Sequence, residues 1–445
     1  RYGSLMSSSL QSQVTSLSFP KLTRLSKSII IVGNVIYKWE QRMTITLNMY
    51  QTLAAAVAVF FLGGFLKGKI PLFRKYCIPA PVIGGTIFSI VNCILYTEGI
   101  WNYSQDTVMQ NWCMMLFFTS IGYMASLRLI LRGGYLVFKM GIMVAILILL
   151  QNLIGISMAH VFSLPSLMGL ADGSIPLVGG HGTAGSFGPV LEEMGLMNGT
   201  TIAFAAATFG LVSGSFIGGP IGELLVRRFS LISTETDNAA EETGERPALH
   251  PKDAAAAYLN MDHFMYAFGQ LLLAMGIGTY VSAFFSSIGL VFPGYIGGMI
   301  VAAIIRNVSE ITEWYGSYQQ ECEVLGGMCL NIFLSCALMS LKLWQLASLA
   351  VPLTLTLLIQ VAMIGAFAYF IIFRVMGGGY EAAVMAAGTC GFGLGATPNA
   401  IANMNAMCER YGSAHTAYFV IPLIGAFVVD FLNASILMVF MNLLK

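Results

Sequence analysis

The sequence predicts an all-α polytopic membrane protein made of two inverted-topology repeats, each of about five transmembrane helices and one re-entrant loop. Three observations predict it. Of 445 residues, 57% are hydrophobic and only 10% charged, with a mean hydropathy of +0.77; a soluble domain carries roughly a quarter charged residues. The apolar runs recur in the same order in both halves. Each half also holds one glycine-broken segment, about 171–195 and 386–411. Irregular backbone leaves N–H and C=O groups unpaired, so it persists at membrane depth only inside protein or beside a water-filled cavity.

Charge and cysteines narrow the function classes. The net charge is +1, and no basic run with interleaved aromatics suggests a nucleic-acid partner. The eight cysteines are scattered without a C-x-x-C pair. Cys322, Cys329 and Cys336 fall at heptad spacing, which marks one helix face and not a metal site.

Residues 1–48 are Ser/Thr-rich with Lys21, Arg24, Lys27, Lys38 and Arg42, and their apolar run Ile29 to Ile36 is too short to span. They are expected to be a non-native or mobile N-terminal extension. The first membrane repeat, 49–229, offers apolar runs at about 50–70, 78–97, 111–127, 134–162 and 199–226. Its broken segment lies between the fourth and fifth. A polar linker, 230–262, follows with Asp237, Glu241, Glu242 and Glu245. The second repeat, 263–445, offers runs at about 263–290, 292–306, 324–341, 344–373 and 413–442, with its broken segment in the matching place.

The halves echo one another at an offset of about 214 residues. Ile83-Gly84-Gly85 returns as Ile296-Gly297-Gly298, and Ser126-Leu127-Arg128-Leu129 as Ser340-Leu341-Lys342-Leu343. Gly173-Ser174 returns as Gly388-Thr389, Glu192-x-x-Gly195 as Glu409-x-x-Gly412, and Gly214-x-Phe216 as Gly425-x-Phe427. An odd number of spans per half makes the repeats inverted across the membrane. With the start of the first helix outside, most Lys and Arg fall at cytoplasmic ends, as the positive-inside rule requires. The linker is then cytoplasmic and both ends of the membrane domain are external.

The breaks are the candidate binding site. A break turns the positive N-terminal end of the next half-helix into the protein, where free N–H groups bind carboxylates without a buried cation. The turns at Gly180-His181-Gly182-Thr183 and Gly393 to Asn399 suit that role. Ser174, Gly180, His181, Gly182, Thr183, Thr389, Gly393, Gly395, Ala396, Thr397 and Asn399 are the candidate substrate-binding residues. Small-residue helix packing is the alternative account of the glycines. Hydroxyl, amide, carboxylate and carbonyl oxygens are also ligands for a hard cation, so Asp430, Asn403 and Asn433 are the candidate sodium ligands. A hydrogen-bonded structural acid, or packing and capping amides, would explain the same residues.

His181 fits a proton relay, or a neutral ring bonded to the loop. Arg128 and Lys342 occupy equivalent places, which suits either substrate carboxylates or snorkelling at helix ends. Glu223 and Arg227 are spaced to pair across one turn. There is no H-E-x-x-H, no G-x-S-x-G and no paired intramembrane acids, so the chain is not expected to be an enzyme. A channel predicts a sustained polar helix face, and a receptor a sizeable soluble domain; neither is visible.

At IPAPVIGG (78–85), LVGGHGTAGSFG (177–188), ATFGLVSGSFIGGPIG (207–222), LMSLKLWQLASLAVP (338–352) and GTCGFGLGATPNAIANM (388–404) the chain resembles the glutamate:sodium symporter family. The resemblance runs from about Met49 to the C-terminus; Val178 stands where a small or hydroxyl residue is expected. It implies sodium-coupled glutamate uptake across a bacterial inner membrane, inverted repeats with two re-entrant loops, homodimers in the lipid bilayer, and an elevator motion. Sodium is the implied coupling ion, and no further cofactor is implied. A carrier of another small anion such as a hydroxycarboxylate, or a sodium/proton exchanger using Asp430 and His181, is the alternative.

Overall fold

A computed structural model describes residues 43–75, 78–231, 261–289, 293–346 and 349–445. The first helices follow the apolar runs closely. Strand β1 (Met43–Leu47) leads into α1 (Met49–Lys69), which Asn48 and Gln51 cap reciprocally at 3.0 Å. Then come α2 (Ala80–Thr97), strand β2 (Trp101–Gln105), α3 (Val108–Met124) and α4 (Leu127–Val161). Three short helices fill the first broken segment: α5 (Met168–Ala171), α6 (Ser174–Leu177) and α7 (Gly180–Glu193). Helix α8 (Gly199–Phe229) closes the half.

The second half repeats that succession. It comprises α9 (Met261–Ser287), α10 (Gly294–Thr312), α11 (Gln319–Met339) and α12 (Ala350–Phe367), the last running on through a π turn (Ala368–Ile372) to Val375. The second broken segment is α13 (Tyr380–Leu394) and α14 (Thr397–Tyr411). The chain ends in α15 (His415–Leu423) and α16 (Val429–Leu443), joined by a π turn at Ile424–Val428. Pro422 lacks the N–H that would bond back one turn, and the register slips just after it.

Among the described residues, eight helices are long and apolar enough to cross a membrane: α1, α2, α4 from Gly134, α8, α9, α10, α11 and α12 through Val375. Helix α3 has 17 residues. Residues 1–42 of the expected extension and 232–260 of the linker lie outside the described residues. Met43–Leu47, which the sequence assigns to that extension, instead pairs in parallel with Trp101–Gln105. A short strand of this kind leaves no hydropathy signal in the sequence.

Packing divides the helices into two bodies. One is built from α1–α3 and α9–α11, around Tyr123, Leu271, Phe333 and Leu338, with a smaller cluster at Ala56, Val59 and Met339. In it α2 packs on α11, and α10 packs on α3. Helices α1 and α2 touch where a Cβ on Gly63 would stand 2.9 Å from Gly84 N; α9 and α10 touch where one on Gly278 would stand 2.6 Å from Gly297 C. The second body contains α4–α8 and α12–α16 and holds the larger apolar core, including Leu147, Ile175, Phe392 and Ile421.

The bodies meet through glycines against aromatics. A Cβ on Gly185 would lie 2.6 Å from Phe333 Cζ and 2.9 Å from Phe204 Cζ. Tyr295 stacks on Phe118 at 4.3 Å and meets the edge of Phe187 at 5.8 Å. Between them, α2, α8 and the end of α11 leave a cavity of about 560 Å3, lined by Thr86, Ser89, Thr208, Ser213 and surrounding apolar side chains. Helix α4 passes from one body to the other. Leu127 N donates to Asn307 Oδ1 (2.8 Å) and Arg128 Nη2 to Glu310 O (2.7 Å), and the helix is then interrupted at Gly134, whose φ is 58° and ψ −152°.

Candidate functional site

The two broken segments face each other inside the second body. In the first, Gly180 adopts φ +61°, a conformation that costs a residue with a Cβ about 1–2 kcal/mol. A Cβ there would also stand 2.7 Å from Gly395 O of the second break. At that break α13 ends at Leu394, Gly395 leaves the helix with φ −159° and ψ −78°, Ala396 is extended, and α14 restarts at Thr397 with Pro398 in its first turn. Proline there costs no hydrogen bond, since first-turn N–H groups have no helical acceptor.

The N-terminus of α7 is uncapped by any side chain. The N–H groups of Gly180, His181 and Gly182 belong to its first turn and have no acceptor within the helix. Helix α14 begins beside it, likewise without a side-chain cap. Two helix N-termini thus converge, and neither broken segment carries a lysine or arginine before Arg410. This is an environment that favours negative charge by backbone dipoles alone.

Several predicted residues gather here. His181 is buried, with Nε2 3.0 Å from Thr208 Oγ1. Thr208 spends its own proton on Phe204 O (2.9 Å), so the hydrogen-bond network assigns the proton between them to His181 Nε2. Thr397 Oγ1 donates to Gly425 O (2.8 Å), and Asn399 Nδ2 to Leu211 O (2.7 Å), leaving Asn399 Oδ1 buried and unpartnered. Gly393 O accepts from Gln151 Nε2 at 2.8 Å. A Cβ on Gly395 would come within 2.9 Å of Leu211 Cα, and one on Gly182 within 3.1 Å of the Phe117 ring.

Others are placed apart from the tips. Thr389 Oγ1 bonds back to Met385 O within α13, whereas Thr183 stays at the first tip, its side chain against Gly179 and its O accepting from Ser186 Oγ (3.0 Å). Ser174 lies at the earlier break between α5 and α6, where its Oγ donates to Asn433 Oδ1 (2.7 Å). Asn403 Nδ2 donates to Gly214 O (3.0 Å) and Ala387 O (3.3 Å). Asp430, Asn403 and Asn433 share no partner among the described residues. Arg128 and Lys342 are exposed, and Arg128 is held by Glu310 O, away from the breaks. Glu223 pairs with Arg227, as its spacing predicts, and also with Arg410 of α14 at 2.9 Å.

Four side chains beside the breaks were not singled out from the sequence. Gln151 and Asn152 on α4 and Gln360 on α12 are fully buried, and Gln360 Nε2 donates to Gln151 O at 2.7 Å. Asp172 is buried between α5 and α6. The signal for the first three was an isolated amide within a long apolar run. Asp172 lay inside the glycine-broken segment itself.

Long apolar helices enclosing broken helices whose ends meet in the interior define a multi-pass membrane transporter. The comparisons are specific about which one. A profile of the sodium/glutamate symporter family matches residues 45–413. The chain is 37% identical over 398 residues to the sodium/glutamate symporter of Escherichia coli (strain K12), covering 89% of this chain and 98% of that protein. It is 37% identical over 401 residues to the sodium/glutamate symporter of Haemophilus influenzae, with the same coverage. The chain belongs to the sodium/glutamate symporter family, and it is a transporter and not an enzyme.

Proposed function

We propose that this protein is a secondary active transporter that couples sodium entry to glutamate uptake across the bacterial inner membrane. The observation that carries the reading is the convergence of the α7 and α14 N-termini without a lysine or arginine. Glutamate carries two carboxylates and one ammonium at neutral pH. Free N–H groups at Gly180, His181, Gly182 and Thr397 suit the carboxylates, while Asn399 Oδ1 and the Gly395 carbonyl suit the ammonium as acceptors. Ser174, Thr183, Thr389, Gly393 and Ala396 shape the two segments around that point. Sodium ions offset the remaining negative charge in a low-dielectric interior. Their candidate ligands include Asp430, Asn433 and Asn403.

The mechanism follows from the two bodies. Helices α1–α3 and α9–α11 form the static body, which pairs with a second copy, and the body with both breaks moves past it as an elevator. The reciprocal packing of α2 on α11 and α10 on α3 supports two inverted repeats, with α5–α7 and α13–α14 as re-entrant loops entering from opposite faces. The linker 230–262 is cytoplasmic and the ends of the membrane domain external, from the Lys/Arg bias. Calorimetric titration of L-glutamate into the purified protein tests the substrate. Binding in sodium buffer that disappears in potassium buffer is expected; equal binding in both, or none in sodium, would overturn the coupling.

A further inference from the structure

We propose that Asp172 is the carboxylate ligand of a sodium site at the first break, completed by Ser174, Asn152 and Asn433. The proposal rests on the sodium-coupled reading above and says where one ion sits. Asp172 is 2% exposed, and its Oδ1 has no hydrogen-bond partner. Its surroundings are oxygens. The side chain faces the turn of α4 that contains Asn152 and Gly155: a Cβ on Gly155 would lie 3.0 Å from Asp172 Oδ1, and one on the adjoining Gly173 would lie 2.8 Å from Asn152 Oδ1 and 3.4 Å from Gln151 O. The Gly169 carbonyl opens onto the same space.

The polar groups around Asp172 are already ordered. Asn152 Oδ1 accepts from Ser174 N (3.0 Å), Ser174 Oγ donates to Asn433 Oδ1 (2.7 Å), and Asn433 Nδ2 donates to Ser174 O (3.2 Å). These bonds hold Asn433 by both ends of its amide and Asn152 by its Oδ1, so the polar groups around Asp172 are oriented in advance. Four elements supply the set: α4, the α5–α6 turn, α6 and α16. No lysine, arginine or histidine has an ion pair with Asp172 among the described residues.

Physics then restricts the occupant. A carboxylate buried without a cationic partner costs several kcal/mol at membrane depth. Glycine at 155 and 173 lets α4 and the α5–α6 turn pack backbone to backbone, where a Cβ would clash with the Gly169 carbonyl, and this close approach brings the oxygens of Asp172, Asn152 and Gly169 together. A hard cation takes carboxylate, amide and carbonyl oxygens together. No group of three or more His, Cys, Asp or Glu occurs among the described residues, which disfavours a transition metal or a high-charge calcium cage. One carboxylate with neutral oxygens matches a monovalent ion. Asn152 Nδ2, also buried and unpartnered, lacks an acceptor, which an ionised Asp172 or a water shared with the ion would supply.

The site also links sodium to substrate. Asn152 follows Gln151, whose amide holds Gly393 O at the second break. An ion drawn to Asp172 therefore orders the same turn of α4 that positions the tip of α13.

The test is a thermal-unfolding titration of the purified full-length protein with sodium chloride, choline chloride holding the ionic strength, and no glutamate present. The unmodified protein is expected to gain stability with sodium and not with potassium. Asp172→Asn keeps the shape and removes the charge, and is expected to move the sodium midpoint upward about ten-fold or more. An unchanged midpoint in folded Asp172→Asn would overturn the site while leaving sodium coupling intact. An unmodified protein indifferent to sodium overturns both. Should Asp172→Asn fail to give folded protein, Ser174→Ala decides: a weakened sodium response supports the site, and an unaltered one overturns it.

Discussion

At the scale of the residue, the contact between Gly180 and Gly395 is what the proposed site depends on. Neither position accepts a larger side chain: one has a positive φ and faces a carbonyl, the other faces the α8 backbone. Gly395→Val is expected to abolish transport while the protein still inserts and purifies as a folded species, because a Cβ displaces the tip against Leu211. Gly182→Ala is expected to be milder, since its new methyl meets side chains alone, the Phe117 ring edge at 3.1 Å and Leu330 Cδ1 at 3.9 Å, and the ring can rotate away. Uptake assays on both variants check the order; equal activity of the two would contradict it. Asn399→Ala removes the donor to Leu211 O, which keeps Ser215 Oγ as a donor at 3.2 Å, so the loss is that of one hydrogen bond, about 0.5–1.5 kcal/mol, read as a lower unfolding temperature.

The residue scale is also where the sequence was least legible. Glycine clusters and the GATPN turn marked both breaks, although only Gly179–Gly180 and Gly395 stand at the interruptions themselves, while Gly182, Gly185, Gly388, Gly391 and Gly393 remain helical. Partners were not marked. Asn433 lies far along the chain from Ser174, and nothing in its own run of residues names that partner. Asn403, grouped with Asn433 by chemistry, proves to be tied to Gly214 and Ala387. Side-chain pairings across different helices are set by packing, which local pattern does not encode.

At the scale of the element, legibility was high. The long apolar runs from residue 50 onward became helices with ends within about six residues, the last of them split into α15 and α16 by a π turn, since lipid enforces closed backbone hydrogen bonding over each span. What the pattern missed was capping and connection. Strand β1 was assigned to the extension, and the second segment proved to be two longer helices with a short gap. Glu381 is one such connection: it accepts from Thr416 N (3.2 Å) and Ala417 N (2.8 Å), capping α15 from the start of α13. Glu381→Ala is expected to cost about 1 kcal/mol of stability, the usual worth of a helix cap. Thermal unfolding checks it, and an unshifted midpoint would show the cap to be idle.

At the scale of the whole molecule, the two bodies touch through aromatic rings and glycines, with few polar ties between them. Such an interface is suited to sliding, because among the described residues no buried ion pair crosses it. Cysteines replacing Phe187 and Tyr295 place one thiol on each body across that interface. In a background freed of native cysteines, bridging the two thiols with a bifunctional thiol reagent is expected to stop uptake, and the unbridged variant to retain it. Undiminished uptake by the cross-linked protein would mean that the bodies do not move against each other there.

The most direct measurement is radiolabelled L-glutamate uptake into proteoliposomes containing the purified protein, driven by an inward sodium gradient and then by potassium or proton gradients. Accumulation with sodium alone, abolished by excess unlabelled glutamate, is the predicted result. Folded protein that accumulates no glutamate under the sodium gradient, or accumulates it equally under the others, would contradict sodium-coupled glutamate transport.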